Sequence, residues 1–401
     1  MRAARLTVLL ALALCAAAGP ASAATPAPQV PQAKTAIVVD GRTGALMWAR
    51  DANARRSMAS TTKLMTALLT LERARPGQVF TSPGYDPLPA ESQIHLAAGE
   101  RMTVADLLRA LLLESANDAA VTLADGISGS TPAFVAQMNE RARQLGLDDT
   151  SYANPIGLDD PANYSSAQDL AALAVRLLRK PRFARIVNRP QATLRSGAHE
   201  RVIDNRNDLV GSYSWVDGVK TGHTNTAGYL LVGAAHGVGG ARVVSVVMGE
   251  PSEAARDAET LALLQWGLGR FARRTVLRHD RPVASTAIEY RDERARLVPA
   301  RATAVTVRAG ERVSRRVQAP AELAGPLAAG RRVGSVTVRV DGRPVRRVAL
   351  VTQTAVPAAG TLRVLTSVLG VPLTCVLVLA ILIVAGLAAL RLRVRMRLVR
   401  R

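Results

Sequence analysis

The chain has 401 residues, and its net charge of +21 is spread unevenly. Residues 271–370 hold 19 arginines, no lysine and seven acidic residues, while residues 24–270 are nearly neutral. With aromatic residues at 3% and the basic surplus confined to one segment, nucleic acid is not an expected partner, and the two cysteines, Cys15 and Cys375, leave no disulfide framework to hold a fold.

Arg2 and Arg5 precede an apolar run from Leu6 to Ala18, and Ala21-Ser22-Ala23 follows. Charge, short apolar run and small-residue cleavage site in that order predict a signal peptide over residues 1–23. Leu14 before Cys15 does not fit a lipoprotein site. Residues 24–33, rich in Pro, Ala and Gln, read as a mobile lead-in. Two apolar runs, Thr35–Asp40 and Ala45–Arg50, flank Gly41-Arg42-Thr43-Gly44 and predict a hairpin. A helix is expected from Ser60 to Arg73, with Leu64, Ala67, Leu68 and Leu71 on one face. Thr103 to Leu123 has the same character, and Thr131-Pro132 opens a third helix that runs to Leu145.

Further on, Gly228–Ala235 and Ala241–Met248 predict strands around Gly237–Gly240, with a helix from Ser252 to Phe271. Hairpins at both ends and helices between them imply an α+β domain over 34–273, one antiparallel sheet flanked by helices. Residues 281–356 alternate at period two and turn tightly at Asp341-Gly342, so a small basic β domain is expected there. Val371–Leu390 contains no charged residue, and twenty helical residues reach about 30 Å, enough to span a bilayer. The tail 391–401 carries Arg391, Arg393, Arg395, Arg397, Arg400 and Arg401. A positive cluster beside a span stays in the cytoplasm, which places the bulk of the chain outside. The arginine-rich β segment then sits near anionic lipid or wall polymer.

Three short motifs carry chemistry. In Ser60-Thr61-Thr62-Lys63, a serine and a lysine three apart share one helix face. Serine is a weak nucleophile and needs a base, and a lysine neutralised by burial and a second cation can serve. Ser115-Ala116-Asn117 supplies a hydroxyl able to relay a proton and an amide able to bond a substrate. Lys220-Thr221-Gly222, followed by His223, supplies the second cation, a hydroxyl for a carboxylate, and a glycine that lets substrate backbone approach the strand.

The order Ser-x-x-Lys, Ser-x-Asn, Lys-Thr-Gly is that of penicillin-binding proteins and serine β-lactamases. The flanks Met58–Thr66, Leu113–Ala120, Phe134–Asn139, Ala153–Leu158, Asp217–Thr224 and Leu264–Gly267 resemble the D-alanyl-D-alanine carboxypeptidase family over roughly residues 34–273. The resemblance implies the β-lactamase-like transpeptidase fold, no cofactor, peptidoglycan pentapeptide stems as substrate and β-lactams as inhibitors. It implies Ser60 as acylated nucleophile and Lys63 as its base, with Ser115, Asn117, Lys220, Thr221 and Gly222 at the remaining motif positions. The backbone N–H groups of Ser60 and His223 correspond to the oxyanion hole. Arg206 resembles an arginine near the substrate carboxylate, although its spacing to Lys220 is about one residue short. Alanine at 116 stands where the family often has glycine.

The rival readings use the same motifs. A class A β-lactamase needs a deacylating glutamate between the second and third motifs, and none occurs between Glu140 and Glu200. No His-Glu-x-x-His supports a metallopeptidase, and no Gly-x-Ser-x-Gly supports a triad hydrolase. A penicillin-binding sensor that acylates and stops, and an endopeptidase acting on cross-links, remain open at the level of sequence.

Overall fold

A computed structural model describes residues 26–88 and 91–398, with side chains through Arg393. The expected signal peptide, Arg400 and Arg401 lie outside the described residues. Strands β1 (Thr35–Asp40), β2 (Leu46–Arg50), β3 (Val216–Thr224), β4 (Gly228–His236) and β5 (Arg242–Glu250) form one antiparallel sheet in the order β2-β1-β5-β4-β3. Both ends of the domain meet where β1 pairs with β5. All six residues of β1 are buried because both faces are covered. Successive side chains point to opposite faces, so Ile37 and Val39 enter one core with Val244 and Val246, while Ala36 and Val38 enter the other with Val243 and Val247.

Helices α1 (Lys63–Arg73), α2 (Val104–Leu112), α3 (Asn117–Ser128), α4 (Thr131–Leu145) and α5 (Ala167–Leu178) build the first core, and α6 (Glu253–Leu268) covers the opposite face. Their starts follow the sequence. The side chains of Thr103, Ser130, Ser166 and Ser252 each accept a backbone N–H from the first turn, as helix caps do. The single helical stretch expected from Thr103 to Leu123 is instead two helices. Asn117 N–H bonds the Ser92 carbonyl at 2.8 Å, and Ser115 adopts a φ of 64°, so a tertiary contact overrides local helix propensity.

The lead-in is also corrected. Val30 and Ala33 are buried with Leu263 and Leu264. The N–H groups of Gln32 and Ala33 donate to Glu259 at 2.8 and 3.0 Å, and Trp266 Nε1 donates to the Pro26 carbonyl at 2.7 Å. A polar, proline-rich composition suggests mobility, but two apolar side chains and a buried carboxylate dock this segment.

The second domain comprises β6 (Phe271–Leu277), β7 (Ala284–Ile288), β8 (Arg291–Pro299), β9 (Thr303–Arg308), β10 (Val313–Gln318), β11 (Glu322–Leu323), β12 (Arg332–Val340) and β13 (Arg343–Thr352). β6 pairs with β9, and the others form a sheet in the order β10-β12-β13-β8-β7-β11 around a separate core of Leu297, Val336, Val338 and Leu350. The boundary expected after 273 falls inside β6, so the domains part at Gly269–Arg270. A final helix, α7 (Thr361–Leu398), bends at Gly370, where φ is 75°, just before Pro372. Thr361–Arg393 is long and apolar enough to cross a membrane, and contains the expected span 371–390.

Candidate active site

Ser60 stands not on an α-helix but on a 3-10 turn, Ala59–Thr62, that feeds directly into α1. Side chains three apart eclipse in such a turn, which sets Ser60 and Lys63 in line. Ala59 holds a φ of 44°, and the turn is pressed against Gly157. A Cβ at Gly157 would lie 2.1 Å from the Ala59 carbonyl oxygen, and its φ is 97°, so glycine is required for this approach.

Lys63 is completely buried, and its Nζ meets three oxygens. Asn117 Oδ1 and the Ile156 carbonyl lie at 2.6 Å, and Ser60 Oγ at 3.0 Å. The first two are acceptors only, whereas the hydroxyl can donate. Burial, and then the charge of Lys220, hold the Lys63 ammonium well below the ordinary lysine range. A neutral amine has two N–H groups and one lone pair. In that form the two N–H groups can satisfy the carbonyls, and the lone pair can face the Ser60 hydroxyl 3.0 Å away.

The orientation of Asn117 depends on a residue that stands outside the motifs. Its Nδ2 donates to Glu91 Oε2 at 2.6 Å. Glu91 also accepts from the Tyr85 hydroxyl and, at 3.1 Å, from the Leu88 N–H. Burial pushes the Glu91 carboxyl up, but the Tyr85 and Asn117 hydrogen bonds outweigh it and hold it below its usual range. An ionised carboxylate only accepts, so it fixes Nδ2 toward itself and Oδ1 toward Lys63. Glu91 comes from the connection before α2, where no spacing rule ties it to the motif residues.

β3 is the edge strand beside the Ala59–Thr62 turn. Lys220 is buried on it, and its Nζ donates to the Thr221 carbonyl at 3.0 Å. Burial, and then Arg206 and Arg256, push Lys220 down to about 7. A Cβ at Gly222 would sit 2.8 Å from Leu230 and 3.2 Å from Ala59, so glycine keeps strand and turn together. The His223 ring stacks on Tyr229 with centroids 3.9 Å apart, a packing role for the side chain. Ser115 is buried, and its Oγ has no hydrogen-bond partner among the described residues. Arg206 lies near enough to Lys220 for its charge to act there, but its guanidinium is paired with Glu114, with Nε 2.9 Å from Oε1. Ser60, Glu91, Ser92, Asn117, Gly157 and His223 line a cleft of about 460 Å³. Asp159, at its mouth, accepts from Ser57 and Thr224 at 2.8 Å each. Its carboxylate is thus engaged in bridging two segments.

Residues 21–252 match the D-alanyl-D-alanine carboxypeptidase family, and residues 271–358 match the penicillin-binding protein 5 C-terminal domain. Among relatives, the D-alanyl-D-alanine carboxypeptidase DacF of Bacillus subtilis is 34% identical over 264 residues, 64% of this chain and 68% of that one. DacA of Haemophilus influenzae is 35% identical over 276 residues, 66% of this chain and 69% of the other. The structure of penicillin binding protein 5 from Haemophilus influenzae aligns with a TM-score of 0.60 at 32% identity, covering 83% of this chain and 99% of that one. The serine at the cleft and its buried lysine thus stand in a chain that belongs to the D-alanyl-D-alanine carboxypeptidase family and is a serine peptidase of the penicillin-binding type.

Proposed function

We infer that the enzyme removes the terminal D-alanine from peptidoglycan stem pentapeptides through an acyl-enzyme on Ser60, and that β-lactams acylate the same serine. The observation that carries this reading is the buried Lys63 amine, whose Nζ lies 3.0 Å from Ser60 Oγ and 2.6 Å from two carbonyl oxygens, so that in its neutral form a lone pair is left to take the Ser60 proton. Lys63 takes the Ser60 proton as Oγ attacks the carbonyl carbon of the penultimate D-alanine. The backbone N–H groups of Ser60 and His223 stabilise the oxyanion. The C–N bond breaks, Ser115 passes the proton from Lys63 to the departing amine, and free D-alanine leaves. Water then attacks the ester carbonyl, giving one proton to the same lysine, and Ser60 regains its hydrogen as the shortened peptide departs. Lys220 and Thr221 hold the substrate's terminal carboxylate, and Arg206 adds its charge near Lys220.

The anchor belongs to the same reading. α7 crosses the membrane once, the two folded domains stand on the outer face, and the arginine tail remains inside.

The test uses the full chain in detergent, a fluorescent penicillin and two substrates. Ser60→Ala should abolish labelling while the melting profile is kept. Release of D-alanine from a pentapeptide, faster than scission of cross-linked muropeptide, is the expected preference. Persistent labelling in the alanine variant would move the nucleophile elsewhere. Labelling without D-alanine release would favour a sensor, and faster cross-link scission an endopeptidase.

A further inference from the structure

Two arginines of the β domain meet an arginine of the catalytic domain at one place. Arg42 stands in the β1–β2 turn, Arg273 on β6 and Arg346 on β13. With Gly239, Thr306 and Val345 they line a cleft of about 400 Å³ where the two domains meet. Gly239, in the β4–β5 connection, has a φ of 69°, and its carbonyl accepts the Thr306 hydroxyl at 2.7 Å. A Cβ at Gly239 would fall 2.2 Å from Thr306 Oγ1, so this contact between the domains depends on glycine. Arg273 is the ladder partner of Thr306, so its side chain leaves the strand pair on the same face as this contact.

No carboxylate among the described residues lines this cleft. Among the described residues, neither Arg273 nor Arg346 reaches a carboxylate within ion-pair distance. Arg42 lies over the Phe271 ring and 3.6 Å from Asp40 Oδ2, but its Nε is buried without a hydrogen-bond partner among the described residues. A neighbouring cleft of about 570 Å³ differs, because there Arg308 and Arg343 face Glu311 and Asp341. Unpartnered buried guanidinium N–H groups are costly, and like charges around one cleft repel. An anion with several acceptor oxygens relieves both costs, and guanidinium matches phosphate geometry in particular.

We propose that this interdomain cleft binds a phosphate group carried by an anionic polymer outside the membrane, not by the lipid surface. Geometry disfavours the lipid source. Arg346 lies near the start of β13, and the strand continues to Thr352 before the chain approaches α7 at Thr361. At ~3.3 Å per residue that is roughly 20 Å away from the end that leads to the membrane. The cleft shares no lining residue with the Ser60 site, so its occupancy is measured without an enzymatic readout.

The experiment places the full chain in nanodiscs of phosphatidylcholine and titrates pyrophosphate by calorimetry at low salt. The triple variant Arg42→Gln, Arg273→Gln, Arg346→Gln should bind at least about tenfold more weakly. A control triple on the exposed strand region, Arg312→Gln, Arg315→Gln, Arg316→Gln, removes the same charge and should retain affinity. If the cleft triple melts early, the single variants Arg273→Gln and Arg346→Gln, both at exposed positions, should each weaken binding measurably. Equal losses in the two triples would reduce the effect to diffuse charge and overturn the site, as would no binding to the wild type. Nanodiscs containing phosphatidylglycerol should leave pyrophosphate affinity unchanged. Competition by that lipid would assign the cleft to headgroups and overturn the polymer.

Discussion

The catalytic domain is nearly neutral yet buries charged groups, among them Lys63, Lys220, Asp118, Glu250 and Glu259, whereas the described residues of the β domain carry the arginine surplus and bury no charged residue. Its buried polar groups are hydroxyls such as Thr286, Thr303 and Ser335. Burying a charge is costly unless it is paired or neutralised. The first domain accepts that cost at Lys63 and Lys220, where burial sets protonation states for chemistry, and at Asp118 and Glu259, where carboxylates tie down backbone segments. The second leaves most of its arginines in water, where they act at range and are screened by salt. Net charge and chemically useful charge are thus separated along the chain.

The strongest challenge to this contrast is Lys63→Arg. The guanidinium keeps a cation in the site and does not deprotonate at working pH. Acylation should fall by about 10²–10⁴-fold, the usual contribution of a general base. Stopped-flow mixing with a chromogenic β-lactam measures this, and near-normal acylation would reduce Lys63 to an electrostatic partner. A smaller effect is expected from Glu91→Ala. Freed from the carboxylate, the Asn117 amide can turn its Nδ2 toward the Lys63 lone pair and compete with Ser60. Loss of one such bond corresponds to about tenfold slower acylation. Glu91→Gln retains an acceptor for Nδ2 and should recover most of the rate. If both variants acylate alike, Glu91 has no part in setting the amide.

Lys220 offers a test by pH. Its folded value of about 7 lies below the ordinary 10.5, so between them the unfolded chain holds a proton that the folded chain has released. Stability from this group therefore rises with pH across that window, and its burial cost is constant below about 7. Lys220→Met lacks this titration. The variant's gain in melting temperature over the wild type should be largest near pH 7 and shrink toward pH 10. A gain independent of pH would mean that Lys220 is buried without a shifted ionisation. Because Met also takes a cation away from Lys63, labelling rates measured alongside separate the two lysines.

The motifs were legible as motifs because each is local in sequence. Ser60 and Lys63 are one turn apart, and Lys220 to His223 form one stretch of strand. The hairpins at both ends made the sheet legible through alternation. Glu91 was not legible, because only the folding of the 82–100 connection onto α3 brings it to Asn117. The start of α1 was misplaced by three residues, since a 3-10 and an α turn share the same periodic signal at this length. The domain boundary was misplaced because Phe271–Leu277 continues in sequence from α6, while its ladder partner Thr303–Arg308 lies far along the chain. Composition read the lead-in as mobile because it does not report that Val30 finds a gap beside Leu263.

The smallest effect on chemistry should come from the β domain. Its core of Leu297, Val336, Val338 and Leu350 is separate from both cores of the catalytic domain. The structure places the division at Gly269, so a truncation there keeps α6 whole and removes β6 with its partners, whereas a cut after Arg274 would leave most of β6 unpaired. Surface charges that do not line the Ser60 cleft contribute little to transition-state binding in water. Release of D-alanine from a small diffusible peptide should therefore change by less than about threefold. Binding to isolated cell walls at low salt should fall, and salt should erase the remaining difference. A folded truncated domain that binds walls as strongly as the full chain would remove the link between the arginine surplus and location. A truncated domain that folds but loses peptide hydrolysis would show that the β domain supports the site itself, and the division of labour between the two regions would fail.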